Sequence, residues 1–135
     1  MKRIFLLVAA FAAIPMVFSQ NTELIKSVFF GGGSAYIDPT QVAEIREFIQ
    51  SVPNLESYQI SISSHTDNIG GAEYNQWLSE KRSDAVTYEL GQNQIPPERI
   101  GRIDNGQFNP LYDNSTLHGR MANRRVDIIL TPLFL

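Results

Sequence analysis

The sequence predicts an α+β domain: a mixed β-sheet with helices packed on one face, in the order β-α-β-α-β-β. Three observations predict it. Residues 58–62 alternate apolar Tyr58, Ile60 and Ile62 with polar Gln59 and Ser61, so one side of that strand is buried and the other is wet. Two long stretches carry apolar residues at helical spacing. These stretches fall between strand-like runs, which calls for sheet pairing by crossover and helices gathered on the dry face.

The elements follow in order. "MKRIFLLVAAFAAIPMVFSQ" places Lys2 and Arg3 before an apolar run, with Val17 and Ser19 suited to a signal peptidase. Residues 1–19 are therefore expected to be a secretory signal peptide and residues 20–135 a single domain, since the apolar run falls short of the roughly 20 residues that span a bilayer. "LIKSVFF" at 24–30 reads as a strand, broken by "GGGS". Asp38 then caps a helix with Pro39 at its first position and Val42, Ile45, Phe48, Ile49 and Val52 on one side. The alternating strand "YQISISSHTD" ends at Asp67, and a longer helix runs over roughly Ala72 to Gln92 until Pro96 and Pro97 forbid continuation. A short strand is expected near Arg99 to Asp104. "NGQFNPLYDNSTLHGRMANRR" reads as a long ordered surface loop, and "VDIILT" as the closing strand.

Composition excludes several functions. The chain has 11 Lys plus Arg against 14 Asp plus Glu, and removing the leader takes Lys2 and Arg3, moving the formal charge from −3 to about −5. No nucleic-acid partner is expected of so acidic a domain. The absence of cysteine excludes disulfides, a thiolate nucleophile and a thiolate metal site. His65, His118 and Asp67 lack a metal-ligand spacing, so neither metal nor cofactor is expected. Ser63, Ser64, His65 and Asp67 contain the ingredients of a nucleophilic triad but no nucleophile-elbow pattern, and no catalytic residue is assigned.

The second helix carries the main functional signal. Its apolar stripe, Tyr74, Leu78, Ala85, Val86 and Leu90, is interrupted by Arg82. A buried guanidinium without an anion costs several kcal/mol, so Arg82 calls for a carboxylate or an anionic ligand. Asn75, two turns earlier, is only about 20° away around the helix. Asp67 is the nearest candidate counter-charge. Two readings stand side by side. Either Asp67 and Arg82 pair, or Arg82 extends to water, and the helix start is sealed; or both line a pocket that accepts an ammonium and a carboxylate together, as on a zwitterionic amino acid.

The stretch "SHTDNIGGAEYNQWLSEKRSDAV", with "NQWLSEKR" and "GRMANRRVDIIL", resembles the OmpA-like peptidoglycan-binding domain of OmpA proteins, Pal and MotB, over roughly Leu24 to Pro132. The resemblance implies the OmpA-like fold and non-covalent binding of peptidoglycan through the meso-diaminopimelate of its stem peptide. Together with the expected signal peptide it places the protein in the periplasm or cell envelope, with outer-membrane association through partners, and it implies no enzymatic activity. By the same resemblance Asp67 holds the ligand's amino group and Arg82 its carboxylate, while Asn75, Leu78 and Arg120 match other motif positions and Thr66 contributes. Two departures stand out. "FFGGGS" puts Gly31 where the family commonly has aspartate, leaving the rim near Ser34 to backbone amides. "DNGQFNP" puts Asp104 and Gln107 where glycine and glutamate are usual, so that loop is expected to take its own conformation. The alternatives are an envelope protein-interaction adaptor with an unused site and, more remotely, a peptidoglycan hydrolase.

Overall fold

Strand pairing sets the architecture. The computed structural model describes residues 22–133, so the leader expected at residues 1–19 lies outside the described residues. In chain order the elements are β1 (Leu24–Phe29), α1 (Pro39–Gln50), β2 (Tyr58–Ser64), α2 (Ala72–Gln92), β3 (Ile100–Asp104), α3 (Leu117–Asn123) and β4 (Arg125–Pro132). The strands lie side by side as β1-β4-β2-β3. β4 runs antiparallel to β1 and β2, and β3 runs parallel to β2. Parallel neighbours cannot be joined by a tight turn, so α2 serves as their crossover. The mixed sheet expected from the sequence is present, with the last strand of the chain at its interior.

Register carries the pattern into packing. Ile60 faces Leu130, Ile62 faces Ile128, and Val126 pairs with both Ser64 and Val28. Apart from Ser64, these residues meet Ile45 and Ile49 of α1 and Val86 and Leu90 of α2 in one buried cluster. Each fully buried aliphatic side chain stabilises the fold by about 1.5–3 kcal/mol. Side chains alternate, so Ser27, Ser63 and Asp127 fall on the opposite face. There Arg125 pairs with Asp127 at 3.0 Å, Ser27 donates to Asp127 at 2.6 Å, and the Arg125 guanidinium lies 5.6 Å from the Tyr112 ring centre. His65 joins this polar layer through Ser63, 3.0 Å away.

Helix entry is set by local chemistry. The Asp38 carboxylate accepts the Gln41 amide at 3.0 Å, as the Asp-Pro pair predicts. The Gln41 side chain then closes the end of edge strand β1, accepting from Phe29 N at 2.7 Å and donating to Phe29 O at 2.8 Å. α2 has the expected bounds but not the expected inner face. Its buried residues are Asn75, Leu78, Ser79, Arg82, Ser83, Val86 and Leu90, while Tyr74 is 45% exposed. Up to Ser83, α2 therefore buries mainly polar side chains, with Leu78 the apolar exception, and beyond it Val86 and Leu90 are apolar. The long segment before β4 also departs from expectation, because Leu117–Asn123 is helical. Thr116 caps it by accepting Gly119 N at 3.0 Å. Seven residues containing a glycine and a single apolar pair one turn apart, Leu117 and Met121, give little warning of a helix. No helix among the described residues is long and apolar enough to cross a membrane.

Candidate functional site

Four connections converge at one end of the sheet: the β1–α1 loop, the β2–α2 loop, the first half of α2 and the α3–β4 junction. β2 delivers Asp67, whose Oδ1 accepts the Ile69 amide at 3.0 Å and so turns the chain toward α2. Gly70 completes the turn at φ +99°, where a side chain would be strained and its Cβ would press on the Tyr74 ring at 3.3 Å. The second carboxylate oxygen of Asp67 meets Arg124 Nη1 at 3.3 Å. Asp67 is thus paired with Arg124, and the seal between Asp67 and Arg82 that the sequence allowed is not what forms.

Arg82 is held differently. Its Nε donates to Ser34 O at 2.9 Å, its Nη1 to His65 O at 2.9 Å and its Nη2 to Gly31 O at 3.0 Å. The guanidinium also lies 5.1 Å from the Phe30 ring centre. Three carbonyls are strong acceptors but carry no net charge. Burial pushes Arg82 down to about 10, against the pull of Asp67 and with a further push from Arg124, and it remains a cation at neutral pH. The "GGGS" departure takes its meaning here. The segment supplies the Gly31 and Ser34 carbonyls to Arg82, and Ser34 N is spent on Gly31 O at 3.2 Å, while Gly32 and Gly33 stand on the cavity wall.

Asp67, Asn75, Leu78, Arg82 and Arg124 line one cavity of about 260 Å³, with Gly32, Gly33, Ile69, Gly70 and Tyr74 completing its wall. Arg82 forms the floor and is closed to solvent, whereas the Arg124 side chain keeps 16% of its surface open. One carboxylate stands against two guanidiniums, so the cavity is electropositive and is suited to a ligand that brings at least one anionic group. Its volume is enough for a group of amino-acid size. A larger cavity of about 570 Å³ lies on the other side of Arg124, among Phe29, Phe30, Tyr112 and Met121. Its walls are mainly apolar and, apart from Arg124, include no residue of the charged site; charge distribution, not size, singles out the smaller one.

Of the residues expected at the site, Asp67, Arg82, Asn75 and Leu78 come together. Thr66 is buried beside them but turns its hydroxyl to Asp67 O at 2.8 Å, Ser34 contributes through its carbonyl, and Arg120 is directed to Asn114 O at 3.0 Å. None of these three lines the cavity. Arg124 and Tyr74 also line the cavity, and the sequence carries no separate signal for either as a site residue. Arg124 stands in the "NRR" run, where one arginine cannot be told from its neighbour until the strand start is known. His65 and Ser63 do pair, but His65 Nδ1 is buried without a partner, so the orienting carboxylate of a triad is missing. Among the described residues no group of three His, Cys, Asp or Glu side chains could hold a metal.

The pattern that describes the OmpA family matches residues 29–124, which include every wall of this cavity. The chain belongs to the OmpA family. It is 31% identical over 109 residues to outer membrane porin F of Pseudomonas fluorescens, covering 81% of this chain and 33% of that protein. It is 27% identical over 103 residues to the peptidoglycan-binding protein ArfA of Mycobacterium tuberculosis, covering 76% of this chain and 32% of ArfA. The chain thus spans about a third of each of these relatives. The crystal structure of the peptidoglycan-associated lipoprotein from Burkholderia pseudomallei superposes with a TM-score of 0.70 at 25% identity, covering 78% of this chain and 89% of that one. The mixed sheet and its one-sided helices are the OmpA-family fold.

Proposed function

We propose that this OmpA-family protein binds the diaminopimelate residue of peptidoglycan stem peptides non-covalently, as an exported component of the cell envelope. The observation that carries the reading is the shared cavity of Asp67, Arg82 and Arg124. The free end of diaminopimelate bears an ammonium and a carboxylate on one carbon. The ammonium matches Asp67, which can exchange its long 3.3 Å contact with Arg124 for a shorter one. The carboxylate matches the excess positive charge of Arg82 below and Arg124 at the mouth. ArfA, named as peptidoglycan-binding, and the peptidoglycan-associated lipoprotein lend support. The residues arranged here orient and neutralise a ligand; they are not placed to activate a nucleophile.

The test is co-sedimentation of the mature protein with purified sacculi, with free diaminopimelate as competitor, followed by titration with soluble muropeptides. Diaminopimelate should displace the protein from the wall. A lysine-type stem ends in an amine alone and leaves the guanidiniums unanswered, which costs about 2–5 kcal/mol in a partly buried pocket, so it should bind at least about tenfold more weakly. Equal affinity for diaminopimelate and lysine peptides, or no sedimentation with sacculi, would overturn the reading.

A further inference from the structure

One residue of the cavity wall, Asn75, has a side-chain amide whose direction is set from outside the cavity. Asn75 is 1% exposed and lines the wall. Its Nδ2 donates both hydrogens, to Ile69 O at 3.1 Å and to Gln107 Oε1 at 2.9 Å. Its Oδ1 is buried and has no hydrogen-bond partner. Turning the amide over would not relieve this, because Oδ1 would then face the Ile69 carbonyl, which can only accept. A buried carbonyl left unpaired is costly, and its need is for an N–H donor.

Gln107 is held in place by the loop that carries it. Gly106 sits at φ +56°, and a Cβ there would come within 3.2 Å of the Gln76 backbone of α2. The Gly106 amide donates to Ser79 Oγ at 3.0 Å, and its carbonyl accepts Thr66 N at 2.8 Å. Gln76 Nε2 grips Asp104 O at 3.0 Å. These contacts tie the loop to α2 and to the end of β2 at once, so Gln107 meets Asn75 from a braced backbone.

We infer that Gln107 is a positioning residue: by holding the Asn75 amide through Nδ2 it leaves Asn75 Oδ1 available to the ligand's ammonium, beside Asp67. This deepens the reading proposed above and rests on it. The ammonium then has two acceptors, one charged and one neutral, and selection for an amine-bearing stem depends on a loop that does not itself touch the ligand. A carboxylate at position 107 can still accept from Nδ2, whereas an aliphatic side chain cannot.

The experiment is calorimetric titration of wild type, Gln107→Glu and Gln107→Leu with two soluble stem peptides, one containing diaminopimelate and one containing 2-aminopimelate, which keeps the distal carboxylate and lacks the distal amine. Gln107→Leu should weaken the diaminopimelate peptide about fivefold or more and leave the 2-aminopimelate peptide within about twofold of wild type, and Gln107→Glu should restore the wild-type preference. An equal loss for both peptides in Gln107→Leu, or a loss in Gln107→Glu as large as in Gln107→Leu, would show that Gln107 only supports the loop and would overturn the inference while leaving the proposed function standing. Failure of wild type to bind either peptide would remove both.

Discussion

Arg82 and Arg125 are both almost wholly buried, at 0% and 3% exposure, on opposite sides of one sheet end. Arg125 has its own carboxylate, Asp127, at 3.0 Å, and neither residue lines either of the two cavities described above. Arg82 has three carbonyls and a cavity wall, and the nearby carboxylate is engaged by Arg124. A buried guanidinium that carries its own counter-ion is a structural element. Arg82 is instead solvated by neutral carbonyls beside an electropositive cavity, an arrangement that fits the binding role proposed for it. Burial alone does not separate the two roles; the location of the counter-charge does.

The largest effect that can break this comparison is on stability. Arg125→Met leaves Asp127 buried without its ion-pair partner, and breaking such a pair costs about 3–5 kcal/mol. Urea denaturation should show that loss, while affinity for sacculi per folded molecule stays at the wild-type value. A fall in affinity with unchanged stability would reverse the roles assigned to the two arginines.

The next effect is on binding. Arg82→Lys keeps a positive charge but loses the fork that reaches three carbonyls, and a hydrogen bond to a charged group contributes about 1.5–3 kcal/mol. Lysine is the better probe than alanine, which would strip all three carbonyls and put folding at risk. Binding to sacculi should fall about tenfold or more, with a smaller loss of stability than Arg125→Met shows. Asp67→Asn should weaken binding comparably, since it removes the charge facing the ammonium while leaving an acceptor for Ile69 N. Wild-type sedimentation by both folded variants would sink the site assignment.

A smaller effect is expected from pH. Burial, and then the neighbouring Arg125, hold His65 below its ordinary value of 6.5, with Asp127 opposing. The unfolded chain therefore takes up a proton on this residue before the folded protein does, and stability falls as pH drops below 6.5 toward the depressed folded value. Denaturation midpoints at pH 7.5 and 5.5 should decline more steeply for wild type than for His65→Gln. Identical declines would show that the Arg125 side of the sheet end does not sense this proton. The smallest effect is none at all: chelator should leave both wall binding and the thermal midpoint unchanged, and a midpoint lowered by chelator and restored by zinc would place a metal in one of the two regions.

Much of the site was readable from the chain because its signals are local. Period-two alternation in β2 and a glycine turn bring Asp67 to the sheet end, and helical spacing puts Asn75, Leu78 and Arg82 on one face of α2. The order of strands and helices, and hence the one-sided layering, follows from the same periodicities. Contacts between distant segments were not readable. Asp67 and Arg124 lie 57 residues apart, and Gly31 and Arg82 lie 51 apart. Nothing in residue type says that "GGGS" will turn two of its carbonyls toward Arg82, because glycine backbone direction is set by the packing around it. α3 escaped for a related reason: its one apolar pair, Leu117 and Met121, is exposed, and its seven residues depend on the Thr116 cap and on Asn123, which accepts Tyr112 N at 3.1 Å and donates to Tyr112 O at 2.9 Å. The residue types at the pocket were thus present in the sequence as motifs, but the choice of Arg124 over Arg82 as partner of Asp67 arose only on folding, since a guanidinium pairs with whichever acceptor the packed backbone leaves within reach.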